Sequence, residues 1–410
     1  MYWGKMDFLE LLRYTEITMK IQEILDRGVE RVYPSREALE KALKSGKKLK
    51  FYAGFDPSAK SLHIGNAIQL AKLSQLQEAG HEVIFLIGDF TGMIGDPSGK
   101  AAARQQLDRA AVKANAKLWK KQASAWISFS GRNAAEVKYN SKWYDKMSVE
   151  DFIRLGSNFT VQQMIIRDMF QERLKEEKPI YLHEFLYPLI QGYDSVAMEI
   201  DGEVGGNDQT FNMLAGRDLV KALTGKEKFV ITSKLLVDSE GKKMGKTTGN
   251  IVNLDETPEN MYGQIMAWPD SILSIAFELC TKLSYQEVKK VQERLRDTTL
   301  NPRDFKMKLA HEITKIYHGD KKADAAEAHF VKTIQKKETP DEMETVKIKA
   351  SNIIEVLVEA KLASSKSEAR RLLEQKGIKV NGEIITDANY EISTSSVVQK
   401  GKREYRRIVK

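Results

Sequence analysis

Along residues 64–73 the apolar positions fall at Ile64, Ala67, Ile68 and Ala71, the spacing of one helical face. The stretch before it, KLKFYAGFD at 48–56, alternates like a strand. The stretch after it, EVIFLIGDF at 82–90, is a continuous apolar run, as expected of a strand buried on both faces. Strand, helix and strand within about 40 residues make one βαβ unit and hence a parallel sheet. Residues 17–45 read as two amphipathic helices joined by YPS, with Ser35 as an N-cap. Residues 103–180 read as mostly helical and interrupt the strand pattern. It resumes at EVGGNDQTFNMLAGRDLVKALTG, a glycine turn and a helix. KFVITSKLLVDSEGKKMGKTTGN, at 228–250, reads as a strand followed by a loop of Gly, Lys and Thr.

From Thr257 to about Ala328 the pattern is helical. Residues 336–347 are polar, contain a proline and read as a linker. The last 60 residues hold a helical pair, then IKVNGEIIT with a turn at Asn381–Gly382, then a basic end. The expected fold class is α/β. A Rossmann-like parallel-sheet catalytic domain spans 1–255, with a helical insertion at about 110–180. An all-α domain at 256–335, the linker and a small α+β domain at 348–410 follow.

Composition narrows the class of molecule. The chain has 410 residues, a net charge of +8 and one cysteine, Cys280. One thiol forms no internal disulfide, which fits the cytosol. There is no CxxC or HExxH, and six scattered histidines argue against structural zinc. MYWGKMDFLELL carries acids in its apolar stretch and is no secretory signal. The longest apolar run, Val83–Gly88, is far too short to cross a bilayer. The basic excess is concentrated at the end: residues 351–410 hold 12 Lys/Arg against 8 Asp/Glu.

Two stretches carry the chemistry. His63 and Asn66 lie three apart at the mouth of a helix, where unpaired N–H groups favour an anion, and Gly65 between them allows close approach. Alone, such a tetrapeptide is more often an ordinary polar helix start. GKKMGKTTG places Lys243, Lys246 and Thr247 on a Gly-flanked loop. It is not a P-loop, because Gly241 and Gly245 are separated by three residues rather than four. GDPSGKA at 95–101 fails the same test, with Ala101 in place of the hydroxyl. A triphosphate gripped by a helix mouth on one side and a cationic loop on the other fits both stretches. Tyr187, Gln191 and Asp194 fall at i, i+4 and i+7, one helical face suited to a pocket wall or to core packing.

HIGN followed some 180 residues later by KMGKT resembles the signature pair of class I aminoacyl-tRNA synthetases. YAGFDPSAKSLHIGN, GDPSGK, YPLIQGYD, GGNDQ and NPRDFK narrow the resemblance to the bacterial tyrosyl-tRNA synthetases. SKSEARRLLEQKGIKVNGEII resembles the S4-type RNA-binding module at that family's C-terminus. The resemblance runs from about residue 24 to the end. It implies tyrosine activation by Mg·ATP, with no structural metal, and transfer of tyrosine to the terminal adenosine of tRNA(Tyr).

The resemblance also assigns roles. His63 and Ser58 would hold the γ-phosphate with Asn66 nearby. Lys243, Met244, Lys246 and Thr247 would close over the pyrophosphate, joined by Lys100 and Arg104. Gly54, Asp56, Gly65, Gly206 and Asp208 would face the nucleotide. Tyr52 and Asp194 would meet the tyrosine hydroxyl. Tyr187, Gln191 and Asp96 would hold the ammonium, and Gln209 the reacting carboxylate. Lys366, Arg370, Arg371 and Lys379 would contact RNA backbone, although such charge runs are usually solvated surface. The region 257–335 would meet the anticodon stem, and Lys117, Lys120 and Lys121 the acceptor arm. The family is a homodimer through its insertion, and Trp126, Trp143, Phe152, Phe159, Met164 and Met169 fit such an interface, though residues of this kind are more often core.

Three positions depart from the pattern: Asn66 replaces a second histidine, Ala53 a polar or thiol side chain, and Glu203, which could reach the ammonium, a glutamine. Two other readings stay open: a synthetase for another aromatic amino acid, and a catalytically silent RNA-binding paralogue.

Overall fold

The computed structural model describes residues 18–96, 108–237, 251–335, 343–392, 395–401 and 404–409. Two compact units are present. The first comprises residues up to 255 together with 269–305, and the second comprises 256–268 and 306–410. Residues 269–305 therefore cluster with the sheet-bearing unit, and not with the helices on either side of them.

The first unit is built on a six-stranded sheet in the order β1–β6–β5–β2–β3–β4. Its strands are β1 (Val29–Tyr33), β2 (Lys50–Phe55), β3 (Glu82–Ile87), β4 (Glu136–Tyr139), β5 (Gly202–Gly206) and β6 (Phe229–Ser233). All neighbours are parallel except β1, which runs antiparallel to β6. β2 and β3 pair in register from Lys50↔Glu82 to Phe55↔Ile87. The apolar run of β3 is buried from Val83 to Ile87, as a strand covered on both faces requires.

Helix α1 (Ile64–Glu78) is the crossover between β2 and β3. Helices α2 (Leu182–Ala197) and α3 (Thr210–Thr224) precede and follow β5. They touch through glycines: a Cβ on Gly192 would lie 3.1 Å from the Gly216 amide nitrogen. Chain order reverses between β2 and β5, so the sheet has a topological switch point there. A ligand crevice is expected outside the carboxyl ends of its strands.

Two strands depart from the sequence reading. The stretch expected as two helices contains β1 between a helix over residues 18–26 and a second at Arg36–Leu43, which Ser35 caps through its side chain. β4 lies inside the segment expected as a helical insertion. Each is short and belongs to the sheet only through pairing with a strand distant in sequence.

The insertion's apolar residues also divide differently from the expectation. Trp126 and Met164 are buried within the chain, and Met169 is half-buried. Phe152 and Phe159 pack on the cluster of Leu155, Met164, Leu189 and Leu219. Trp143 packs against Tyr52, Ile84, Leu86, Met198 and Ile200. Exposed apolar side chains of the insertion include Val149, Ile153, Val161 and Ile166.

In the second unit, helices at Pro258–Met266 and Asp320–Phe330 pack through the Tyr262 and Phe330 rings, 5.5 Å apart. A five-stranded sheet follows, ordered β7–β11–β10–β8–β9. Its strands are β7 (Glu344–Lys347), β8 (Ile378–Val380), β9 (Glu383–Ile384), β10 (Ser396–Lys400) and β11 (Glu404–Val409). β7 lies within the stretch expected as linker and pairs parallel with β11. Asn381 and Gly382, both at positive φ, make the two-residue hairpin between β8 and β9. Helices Ile353–Glu359 and Lys366–Glu374 close the core over Ile353, Leu357, Leu373 and Val398. No helix of the described residues is long and apolar enough to cross a membrane.

Candidate active site

The described polar residues singled out in the first unit's sequence gather around the carboxyl ends of β2, β3 and β5. The helix mouth comes first. His63 is the N-cap of α1, and its backbone N–H donates to Asn66 Oδ1 at 3.0 Å. That bond turns the Asn66 amide nitrogen away from the backbone, so the departure from a second histidine keeps a donor at this place. A Cβ on Gly65 would sit 3.0 Å from His63 Cε1, so glycine here leaves room for the imidazole.

The entry to the mouth is clamped by a residue that no sequence pattern marks. Buried Gln122 accepts from the Leu62 N–H at 2.9 Å and donates to Ser61 Oγ at 3.0 Å. Asn115 donates to the Pro57 carbonyl at 2.9 Å. The segment 252–254 runs antiparallel beside the mouth. Ile64 N–H donates to the Val252 carbonyl, Leu254 N–H to the Leu62 carbonyl, and His63 pairs with Asn253. The chain that follows the Gly-, Lys- and Thr-rich stretch therefore lies directly beside His63. Lys243, Met244, Lys246 and Thr247 themselves lie outside the described residues, as do Lys100 and Arg104.

Gly54 is exposed between buried neighbours on β2, which opens strand backbone to the crevice. Gly206 ends β5, and a Cβ there would lie 2.5 Å from Asp208 Oδ1. Ser58 N–H donates to the Asp56 carbonyl at 2.7 Å. Asp56 itself, expected at the nucleotide, is held by two hydroxyls: Thr91 Oγ1 at 2.6 Å and Tyr187 Oη at 2.7 Å. Gln209 donates to Asp96 at 2.6 Å. Burial, reinforced by Asp56, pushes the Tyr187 phenol well above its ordinary range.

A buried polar cluster lies on the α2 side. Asp194, almost fully buried, accepts from Trp143 Nε1 at 2.9 Å and from Asn140 Nδ2 at 3.3 Å. Burial pushes its carboxyl well above the usual range, although these donors pull against it. Asn140 also donates to Thr91 Oγ1 at 3.0 Å. One chain of hydrogen bonds thus runs Asp194–Asn140–Thr91–Asp56–Tyr187. Tyr52 is fully buried, bonds to Ser195 Oγ at 3.0 Å and feels the Asp194 charge. Gln191 donates to Glu203 at 3.0 Å, and Glu203 pairs with buried Lys228. Glu203 is therefore committed within the protein rather than left open to an ammonium group.

Asn140, Thr91, Gln122 and Lys228 escape a reading of the sequence. The first three are neutral, and no spacing marks them. Lys228 looks like any lysine before a strand. Trp143, expected at an interface, spends its indole N–H on Asp194.

In the second unit Lys366, Arg370 and Arg371 are exposed, with Lys366 bonded to Glu355 at 2.7 Å. Lys379 lies on β8 between buried Ile378 and Val380, so its side chain takes the outer face. Lys117, Lys120 and Lys121 are exposed in the first unit.

A switch-point crevice with a polar helix mouth after its first parallel strand is the architecture of the nucleotide-binding α/β proteins. Residues 44–335 match the model for tRNA synthetases class I (W and Y), and the chain belongs to that family. Residues 353–398 match the S4 domain. The chain is 41% identical over 390 residues to the tyrosine–tRNA ligase of Thermotoga maritima, covering 94% of this chain and 96% of that one. It is 42% identical to that of Mannheimia succiniciproducens, covering 94% and 97%. A C-terminally truncated mitochondrial tyrosyl-tRNA synthetase of Coccidioides posadasii superposes with a TM-score of 0.61 at 26% identity, covering 78% of this chain and 98% of that one. The fold also matches tyrosyl-tRNA synthetase from Archaeoglobus fulgidus, at TM-score 0.60 and 20% identity, with 76% and 99% covered.

Proposed function

We infer that this protein is a tyrosine–tRNA ligase. It joins tyrosine to ATP as tyrosyl-AMP and then to the terminal adenosine of tRNA(Tyr). The observation that carries the reading is the hydrogen-bond chain from Asp194, a buried, donor-held carboxylate, to Asp56 at the end of β2, the strand that leads into the polar helix mouth at His63. A phenol hydroxyl reaching that cluster finds Asp194 as acceptor and Tyr52 as a hydroxyl partner. Phenylalanine offers neither bond, and a hydrogen bond to a charged acceptor contributes about 1.5–3 kcal/mol. Rejection of phenylalanine by tyrosyl-tRNA synthetases is the standard worked example of this effect.

In the first step the tyrosine carboxylate oxygen attacks the α-phosphorus. The bond from the α-phosphorus to the oxygen bridging it to the β-phosphate breaks, and pyrophosphate leaves with that electron pair. Charge grows on the phosphates, so catalysis is positioning and electrostatic stabilisation. His63 and Asn66 serve the phosphates from the helix mouth, with Ser58 beside them. Lys243, Lys246 and Thr247, with Lys100 and Arg104, serve the departing pyrophosphate. In the second step a ribose hydroxyl of the tRNA attacks the tyrosyl carbonyl, and AMP departs. Among the described residues no group of three or more His, Cys, Asp and Glu is arranged to hold a metal ion. Mg2+ enters as part of the nucleotide substrate.

The S4 module takes tRNA backbone through Lys366, Arg370, Arg371 and Lys379, and the helices of 256–335 take the anticodon stem. The protein works in the cytosol as a homodimer. The exposed Val149, Ile153, Val161 and Ile166 on the insertion support a dimer interface there. Ile153→Asp with Val161→Asp should shift the sedimentation coefficient to that of a monomer.

Amino-acid-dependent pyrophosphate exchange with tyrosine, phenylalanine and tryptophan tests the assignment. Exchange with tyrosine supports it. Exchange with tryptophan instead, or RNA binding without any exchange, overturns it.

A further inference from the structure

A second buried carboxylate besides Asp194, Glu203, is bonded to Gln191 of α2. Glu203 points from β5 and is 2% exposed, while Lys228, just before β6, is 0% exposed. Lys228 Nζ pairs with Glu203 Oε2 and also donates to the Met213 carbonyl at 3.2 Å. The remaining oxygen, Glu203 Oε1, accepts from Gln191 Nε2 at 3.0 Å. Gly216 leaves the space for the ammonium, since a Cβ there would lie 2.6 Å from Lys228 Nζ. The same Nζ stands 5.9 Å from the centre of the Tyr52 ring.

This arrangement has a directional consequence. An ionised carboxylate only accepts, so Gln191 can face it only with its NH2 group. The Gln191 carbonyl oxygen is then turned the other way, on the α2 face shared with Tyr187 and Asp194. A glutamine in place of Glu203 would also donate, and the Gln191 amide would lose its single orientation. Lys228 Nζ occupies Glu203 Oε2, which leaves Oε1 to the Gln191 amide.

We propose that Lys228 and Glu203 are positioning residues for the substrate amino group. Lys228 holds Glu203 in place, Glu203 fixes Gln191, and the Gln191 carbonyl oxygen accepts from the α-ammonium of the amino acid. The inference rests on the reading that tyrosine occupies this site.

Two inhibitors separate this role from a merely structural one. Tyramine carries the phenol and the ammonium but no carboxylate; 3-(4-hydroxyphenyl)propionate carries the phenol and the carboxylate but no ammonium. Both are measured in the tyrosine-dependent exchange reaction of the full chain. Lys228→Met should raise the tyramine inhibition constant and the KM for tyrosine by roughly tenfold to a hundredfold, the range for a lost hydrogen bond to a charged group. The propionate constant should hold. An equal rise for both inhibitors, or no rise for either, overturns the proposal. Should Lys228→Met fail to fold, the neutral double variant Glu203→Gln/Lys228→Gln replaces it, because no charge is then left alone in the interior. The same selective loss of tyramine is expected, and an unselective or absent loss overturns it. A wild type without tyrosine exchange overturns the functional reading and this inference with it. A wild type with exchange but unselective variants overturns this inference alone.

Discussion

Asn253 is bridged to His63 across an antiparallel pair, so the chain that follows the lysine-bearing stretch is sewn to the mouth of the helix that begins at Ile64. The bonds on either side, Ile64 to Val252 and Leu254 to Leu62, are both 2.9 Å. Two segments far apart in sequence thus share one edge of the crevice. His63 belongs to the fixed side of the proposed grip on the triphosphate.

His63→Ala should therefore lower the rate of tyrosyl-AMP formation more than it weakens binding of either substrate. Removing one preorganised donor from a developing charge costs roughly 100-fold in kcat. Stopped-flow activation kinetics separate the two effects. A rise in the KM for ATP at unchanged kcat would mean that His63 grips ground and transition states alike.

Asp194 offers the second prediction. Asp194→Asn should weaken the preference for tyrosine over phenylalanine in pyrophosphate exchange, by roughly tenfold to a hundredfold for one lost acceptor. Trp143→Phe keeps the carboxylate but removes its 2.9 Å indole donor. It should shift the preference in the same direction by less. Equal discrimination in wild type and Asp194→Asn would remove Asp194 from the phenol site.

Legibility of the sequence follows the range of the interaction that fixes each part. β2, α1 and β3 are visible because a buried parallel strand and an amphipathic crossover each leave a local apolar period. β1 is not, because its five residues reach the sheet only by pairing with β6, some 200 positions later. β4 is hidden for the same reason among charged helical neighbours. In the site, His63, Asn66, Tyr187, Gln191 and Asp194 stand out through their spacing. Their partners do not: Asn140 meets Asp194 across 54 positions and Lys228 meets Glu203 across 25. A hydrogen bond formed only after folding leaves no period in the chain.

The S4 module gives a third prediction. Arg370 and Arg371 are exposed at adjacent positions on the helix Lys366–Glu374. Substituting either with Ala should raise the KM for tRNA and leave tyrosine-dependent exchange without tRNA untouched. Each lost phosphate contact should also reduce the slope of log K against log salt by about 1. Filter binding over a salt series reads the slope, and unchanged slopes in both variants would leave this helix as solvated surface.

The last prediction concerns a lysine that takes no part in the chemistry. Lys72, on α1, is 4% exposed and donates to the carbonyls of Ile24 at 2.7 Å and Arg27 at 2.8 Å. Burial, aided by the Arg27 charge, lowers its pKa from 10.5 to about 7, while Glu23, Glu278 and Asp26 pull the other way. Below about pH 7 folded and unfolded chains both hold the proton, and the cost of burying the charge is borne in full. Between about pH 7 and 10.5 the unfolded chain keeps the proton that the folded chain has released. Stability then rises with pH by about 1.4 kcal/mol per unit from this group. Other groups titrate too, so the quantity to follow is the difference between wild type and Lys72→Met, which cannot titrate. Urea unfolding at several pH values from about 6 to 9.5, chosen to span that window, should show the wild type gaining on the variant above pH 7 and running parallel to it below. A difference that stays constant across the range would mean that Lys72 keeps its ordinary pKa despite burial.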